Sequence, residues 1–280
     1  IAMRRVLLVA PDFPPRNVAG ALRLRLLASG LGEFGWQPIV LTVKPEAYEG
    51  ALDGTSELLL PAGVRVERVG AWPPGWCRRI GLGEIAVRAQ WAMRARAGEL
   101  GRQGEVNMVL ASVLPGYSAL VGAWTKRRWG IPFVLDYQDP WVPLIRSPRR
   151  LGSKAWWAEW LARRLEPGAV RQADALTAVS AQTLDSLRQR ALLPAAKPVE
   201  IVPIGAEARD HEIARDHGQA WLSAPPGEVA FAYVGTLTEK MLPAARTAMR
   251  AIGALAESQP GRRFTLHFVG TSAQVDGVDR

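Results

Sequence analysis

Arg5-Val6-Leu7-Leu8-Val9-Ala10 runs into Pro11-Asp12-Phe13-Pro14-Pro15-Arg16-Asn17-Val18-Ala19-Gly20 and then into a helical segment from Ala21 to Phe34, and this opening decides the fold. Its first part is short, apolar and uninterrupted, as a strand buried on both faces must be. A loop rich in Pro and small residues follows. Leu22, Leu26, Leu27 and Leu31 then recur at helical spacing, so one helix face is expected to pack on the sheet.

The same order repeats along the chain. Further strands are expected at Pro38 to Val43, Val64 to Val69, Val106 to Ala111, Phe133 to Asp136, Ala175 to Val179 and Val199 to Val202. Helical patterns lie at Ile85 to Leu100, Tyr117 to Trp129, Ser153 to Arg171 and Ala181 to Arg190. Strands alternating with helices predict an α/β protein with a parallel, Rossmann-like sheet over residues 3–203. From Pro203 to Glu228 the periodicity stops and the segment is polar, which predicts a hinge over residues 204–228. Residues 229–280 then begin a second βαβ unit, with strands at Val229 to Val234 and Phe264 to Val269 around a helix from Leu242 to Glu257. So few residues do not complete a second Rossmann-like lobe. Either that lobe is incomplete here, or the segment is an appendage of the first.

Composition narrows the class. With 48% hydrophobic and 22% charged residues, the 280-residue chain reads as globular rather than disordered. A single cysteine, Cys77, excludes an internal disulfide and a Cys-rich zinc site; His211, His217 and His267 are too few for a dedicated transition-metal site. No metal and no resident cofactor is expected, and a reducing cytoplasm suits the chain. Basic residues Arg4 and Arg5 precede an apolar run, but the run ends at Pro11-Asp12, too soon for a secretory signal. Ile1-Ala2 ahead of Met3 reads as a cloning remnant. The uncharged stretch from Val106 to Trp124 is broken by Asn107, Pro115 and Gly116, so a strand, a turn and a helix are expected there, not a membrane span. Net charge is +9, and residues 65–164 alone carry 17 basic against 7 acidic side chains, so the excess is concentrated in that window. A polyanionic surface or a merely solvated basic face both fit it.

The small residues Ala19 and Gly20 stand where a helix begins, a place that suits an anion. A purely structural tight turn has the same spacing, because the loop lacks the glycine patterns of dinucleotide or nucleoside triphosphate sites. Specificity comes from the wider set of motifs. Phe13-Pro14-Pro15, Ala19-Gly20, Leu24 to Gly35 and Pro38 to Thr42 follow one another in order. Val134-Leu135-Asp136-Tyr137-Gln138-Asp139-Pro140-Trp141, Ala173-Asp174-Ala175-Leu176-Thr177-Ala178-Val179-Ser180, Val199 to Gly205, and Tyr233-Val234-Gly235-Thr236-Leu237 with Lys240 come after them. Together these resemble the GT-B glycosyltransferases of family 4, from residue 4 to residue 270. Ile204 stands where that family usually has Asn, Thr236 where it often has Arg, and Lys240 sits one residue short of the usual spacing.

The resemblance implies transfer of a sugar from a nucleotide-sugar co-substrate, with no other cofactor required, in a cleft between two lobes. It implies an acceptor-side first lobe and a donor-binding second one. Ala19, Gly20, Gly235, Thr236 and Lys240 are then candidates for the donor phosphates, although Lys240 equally fits an exposed lysine at a helix entry. The family's pair of glutamates separated by seven residues has no equivalent up to residue 280. Asp136, Gln138 and Asp139 lie after a strand of the first lobe, at the carboxyl edge where open α/β sheets bind ligands, and are the catalytic candidates. Asp139 also fits a plain turn before Pro140. Glu166, close to Arg163, Arg164 and Arg171, reads as an ion-pair partner.

Trp141, Trp156, Trp157 and Trp160 are interleaved with Arg146, Arg149, Arg150, Lys154, Arg163 and Arg164, and Trp72, Trp76, Arg78, Arg79 and Trp91 lie upstream. Indole rings with basic side chains suit an anionic lipid surface, so Arg16, Asn17, Trp141, Arg149, Arg150, Trp156, Trp157 and Trp160 are candidates for facing acceptor and membrane. Core packing or stacking on sugar rings are the alternatives for the tryptophans. Single-stranded nucleic acid would use similar chemistry, but no nucleic-acid module accompanies it. The reading is therefore a glycosyltransferase acting on a lipid-linked or polysaccharide acceptor at the inner membrane face. A non-catalytic module that docks on anionic membranes or a partner protein, and a sugar-nucleotide epimerase of the same two-lobed build, are the alternatives. Nothing in the sequence fixes the donor base, the sugar or the oligomeric state.

Overall fold

The computed structural model describes residues 3–50, 52–79, 82–114, 116–144, 150–217, 224–270, 274–275 and 278–279. The chain divides into two compact units, Ile1–Ala214 and Arg215–Arg280.

In the first unit, β1 (Arg4–Val9) leads through the Pro-rich loop to α1 (Ala19–Gly30), a 3-10 turn and β2 (Trp36–Val43). Then come β3 (Arg65–Val69), α2 (Pro74–Arg79), α3 (Ile85–Arg88), α4 (Gln90–Arg102), β4 (Met108–Ser112), α5 (Ala119–Trp129) and β5 (Phe133–Tyr137). α6 (Lys154–Gln172), β6 (Ala175–Ala178), α7 (Ala181–Gln189), β7 (Val199–Ile201) and α8 (Ala208–His217) complete the series. All seven strands pair in parallel, in the order β3-β2-β1-β4-β5-β6-β7. That order reverses direction at β1 and β4, so the loops after these two strands diverge and leave a crevice at the carboxyl edge.

The apolar runs are buried on both faces, as a parallel sheet requires. Leu7 and Val9 join one cluster with Ile39, Leu41, Val109, Phe133 and Leu135. Val6 and Leu8 join the other, with Val40 and the α1 residues Leu24 and Ala28. Each buried Leu or Val side chain of this kind contributes about 1.5–3 kcal/mol.

The face that α1 buries differs from the leucine stripe. Ala21, Leu24 and Ala28 are inward, Leu27 and Leu31 half-buried, and Leu22 is exposed. Arg23 and Arg25 are buried as well, each paired with a carboxylate, so charge pairing rather than the leucine spacing sets the rotation of the helix. The expected helix from Ile85 to Leu100 divides at Ala89 into α3 and α4. The uncharged stretch from Val106 resolves into β4, a 3-10 turn and α5, and among the described residues no helix is long and apolar enough to cross a membrane.

The polar stretch after Pro203 carries a helix, α8, in its middle. An apolar stripe is missing because the helix is tied down by charge: Arg25 Nη1 donates to Asp210 Oδ1 at 2.8 Å, with a second contact from Nη2 to Oδ2. In the second unit β8 (Glu228–Val234) and β9 (Arg263–Val269) pair in parallel around α9 (Leu242–Ser258), and β10 (Gln274–Val275) pairs antiparallel with β11 (Val278–Asp279).

Candidate active site

Beneath the crevice lies a closed polar network. Asp136, near the carboxyl end of β5, is fully buried; Arg23 donates to it from Nη2 at 2.7 Å and from Nε at 2.8 Å. Thr177 Oγ1 at 2.6 Å and Ser112 Oγ at 3.1 Å complete the shell of its two oxygens. Arg23 reaches on to the Val202 carbonyl at 2.8 Å. Gln138 Nε2 donates to Ser112 Oγ at 2.7 Å and to the Gly20 carbonyl at 3.2 Å. One guanidinium and one amide thus tie the start of α1 to the ends of β4, β5, β6 and β7. Gly20 itself has no room for a side chain, because a Cβ there would stand 3.0 Å from the Leu114 carbonyl.

Above the network the loops are open. Tyr117 and Trp141 meet edge to face at 5.4 Å, and Gly116 is needed beneath them, since a Cβ there would fall 2.3 Å from the Trp141 ring. Beside them a groove of about 550 Å³ runs between the residues ahead of α3 and the outer side of α6. Glu84 and Tyr117 line it from the sheet edge, Trp157, Trp160 and Leu161 from α6. A smaller hollow of about 170 Å³, which also touches Trp141, shares Glu84, Tyr117 and Ala158 with it.

Desolvation against this wall, with a smaller push from the Asp12 carboxylate, raises the Glu84 carboxyl to about 8. The side chain keeps a solvent-exposed face, so water in the groove tempers the shift and an occupant that expels the water strengthens it. Burial likewise raises Asp12, opposed by the charge of Arg16, and raises Tyr117, helped by Glu84. The Asp12–Arg16 pair approaches to 2.9 Å without hydrogen-bond alignment, so charge alone holds it.

Residues 19–205 match the sequence profile of the glycosyl transferase 4-like domain. The chain belongs to that family. No curated protein matches it by sequence. Among solved structures, Phytolacca americana UGT2 complexed with UDP-2fluoro-glucose and pterostilbene is similar at 12% identity and a TM-score of 0.55, over 95% of this chain and 71% of that one. A transferase from Siraitia grosvenorii in complex with UDP gives 13%, 0.51, 95% and 73%, and the glycotransferase of kitacinnamycin 14%, 0.51, 98% and 72%. These likenesses show the fold, which is that of the GT-B glycosyltransferases.

Within this glycosyl transferase 4-like domain the candidates from the sequence separate into groups. Asp136 is sealed and Gln138 is 5% exposed; the Asp136 oxygens and the Gln138 Nε2 are engaged in the network. Asp139 is exposed in the turn before Pro140, with its N–H directed at the Val113 carbonyl. Ala19 is exposed at the start of α1, whose N-cap residue Val18 offers no side-chain acceptor. Arg16 folds back over the Tyr48 ring at 5.2 Å, and Asn17 Nδ2 donates to Asp53 at 3.0 Å.

Trp141 and Trp156 are half-buried, whereas Trp157, Trp160 and Arg150 are exposed; Arg149 lies outside the described residues, as does Arg146. Glu166 is an ion-pair partner, but of Arg190 just after α7 rather than of the nearby arginines; its other oxygen accepts from the Tyr137 hydroxyl at 3.1 Å. Arg163 pairs with Glu159 instead. In the second unit Gly235 takes a φ of 139° after β8, and the exposed Thr236 accepts from the Tyr233 hydroxyl through its carbonyl. Lys240 belongs to a 3-10 turn, and its side chain is outside what is described. Among the described residues no cluster of His, Cys, Asp and Glu is placed to hold a metal ion.

Glu84 was missed. It stands alone after Gly83, in no motif, and only the folding of α6 over the residues ahead of α3 makes it part of a groove.

Proposed function

We propose that the protein transfers a sugar from a nucleotide-sugar to a lipid-linked or polysaccharide acceptor at the cytoplasmic face of a membrane. Family membership supports the transfer. The observation that carries the acceptor side is the groove: aromatic walls and one carboxyl at the carboxyl edge of the sheet, the combination a sugar with an apolar attachment needs. Asp139 is the candidate to orient or deprotonate the attacking hydroxyl, which bonds to the sugar's anomeric carbon as the nucleoside diphosphate departs. Gly235, Thr236 and Lys240, with Ala19 and Gly20, are the candidates to meet the diphosphate.

The membrane part of the reading draws on α6. Trp157, Trp160, Leu161 and Arg164 recur at i, i+3, i+4 and i+7, opposite the buried Ala162, Glu166, Ala169 and Val170. Arg164 lies 5.0 Å over the Trp160 ring. An exposed stripe of indole and guanidinium suits a lipid headgroup layer.

Nucleoside diphosphate release from UDP-, GDP- and TDP-sugars by the protein carrying this chain tests the transfer. Turnover of at least one donor, increased by a membrane lipid extract, is expected. Neither binding nor turnover of any donor overturns the proposal. Sedimentation with vesicles that depends on anionic lipid is expected too; turnover without such dependence leaves the groove as an acceptor site and removes the membrane.

A further inference from the structure

Glu84 is the N-cap residue of α3, yet its side chain makes no capping hydrogen bond. Only its backbone carbonyl serves the helix, accepting from Val87 at 3.1 Å and Arg88 at 3.0 Å. Among the described residues no hydrogen bond or ion pair holds its carboxyl, which lines both the groove and the adjoining hollow. Opposite it, Trp157 and Trp160 stand edge to face at 5.6 Å and are 53% and 39% exposed. Large indoles kept in water across from a free carboxyl are poor economy for folding and good chemistry for a ligand.

The occupant follows from the two walls. An indole face takes the C–H side of a sugar ring or an alkyl chain, and a carboxyl takes a hydroxyl, as acceptor when ionised and as donor too when protonated. A lipid phosphate suits the rim, where Arg79 and Lys154 line the groove, but would meet Glu84 and, in the hollow, Glu159 further in. We propose that Glu84 is the specificity-determining anchor of an acceptor subsite for a saccharide carrying an apolar aglycone, its carboxyl holding a ring hydroxyl while Trp157 and Trp160 take the apolar part. A carboxyl raised by its surroundings more readily donates as well as accepts, as a hydroxyl partner requires. The assignment of this site to an acceptor rests on the glycosyltransferase reading; the binding chemistry does not.

Calorimetric titration of the full chain with octyl β-D-glucoside below its micelle concentration, with glucose and with octyl phosphate tests it. Octyl glucoside is expected to bind, and glucose alone at least about tenfold more weakly, because the aglycone's burial is lost. Glu84→Ala should remain folded and weaken the glucoside about tenfold, Glu84→Gln by less, since the amide still bonds a hydroxyl. Unchanged affinity in Glu84→Ala, no glucoside binding, or octyl phosphate binding the wild type more tightly than the glucoside overturns the proposal. Nucleotide-sugar turnover is read separately. Turnover without glucoside binding removes the subsite alone, and glucoside binding without turnover removes the transferase reading alone.

Discussion

Two carboxyl groups at the same edge of the first unit lead opposite lives. Asp136 is sealed, with a guanidinium and two hydroxyls on its oxygens. Glu84 is open, held by no side-chain bond among the described residues, and raised toward neutrality by its surroundings. The first arrangement ties five elements together and occupies both oxygens of the carboxylate. The second leaves a carboxyl available to a ligand in an aromatic groove. Environment, more than residue type or motif, sets each role.

Breaking the sealed side should have the largest effect. Arg23→Ala strands a buried carboxylate, and a loss of about 3–5 kcal/mol in urea unfolding is expected. A loss below about 1 kcal/mol would mean that water already reaches Asp136. Next comes Gly116→Ala, which pushes a methyl into the Trp141 ring; about 1–3 kcal/mol of stability and a changed tryptophan emission are expected, whereas unaltered values would show that the ring moves aside freely.

Glu84 gives a smaller effect with a distinctive sign. Its folded pKa is raised above the unfolded value of 4.5, so the folded state holds a proton that the unfolded state has released. Stability is therefore lost as pH rises from about 4.5 to about 8 and is flat below that window. Asp12, Arg79, Tyr117, Lys154 and Glu159 surround it, and Asp12 adds to the trend. Glu84→Gln should match the wild-type melting temperature at pH 4 and exceed it at pH 9; a difference that does not change with pH refutes this. The smallest effect on stability belongs to Trp157→Ala with Trp160→Ala, within about 0.5 kcal/mol for each exposed site. The same pair should abolish sedimentation with anionic vesicles, and full retention would take the α6 stripe out of the membrane reading.

Much of the sealed side was legible in the sequence and little of the open side was. Strands β1 to β9 were expected within two or so residues of their ends, because short apolar runs mark them, most plainly in β1 and β2, which are buried on both faces. α8 and α2 left no such trace: the first is fixed by Arg25 and Asp210, and the second carries only Cys77 inward. The inward turn of Arg23 could not be read from α1, since its partner Asp136 lies 113 residues away. The Asp136-to-Trp141 motif singled out Asp136 and Gln138 without showing that both are buried, since a motif records residue types and not which way they face. Glu84 had no local signature, because the groove is made by chain segments about 70 residues apart.

The most direct measurement is nucleoside diphosphate release from whichever nucleotide-sugar is accepted, followed against octyl β-D-glucoside concentration in the wild type and in Glu84→Ala. Half-saturation at about tenfold higher glucoside is predicted in the variant. The same half-saturation in both proteins, or no release from any UDP-, GDP- or TDP-sugar, contradicts the account.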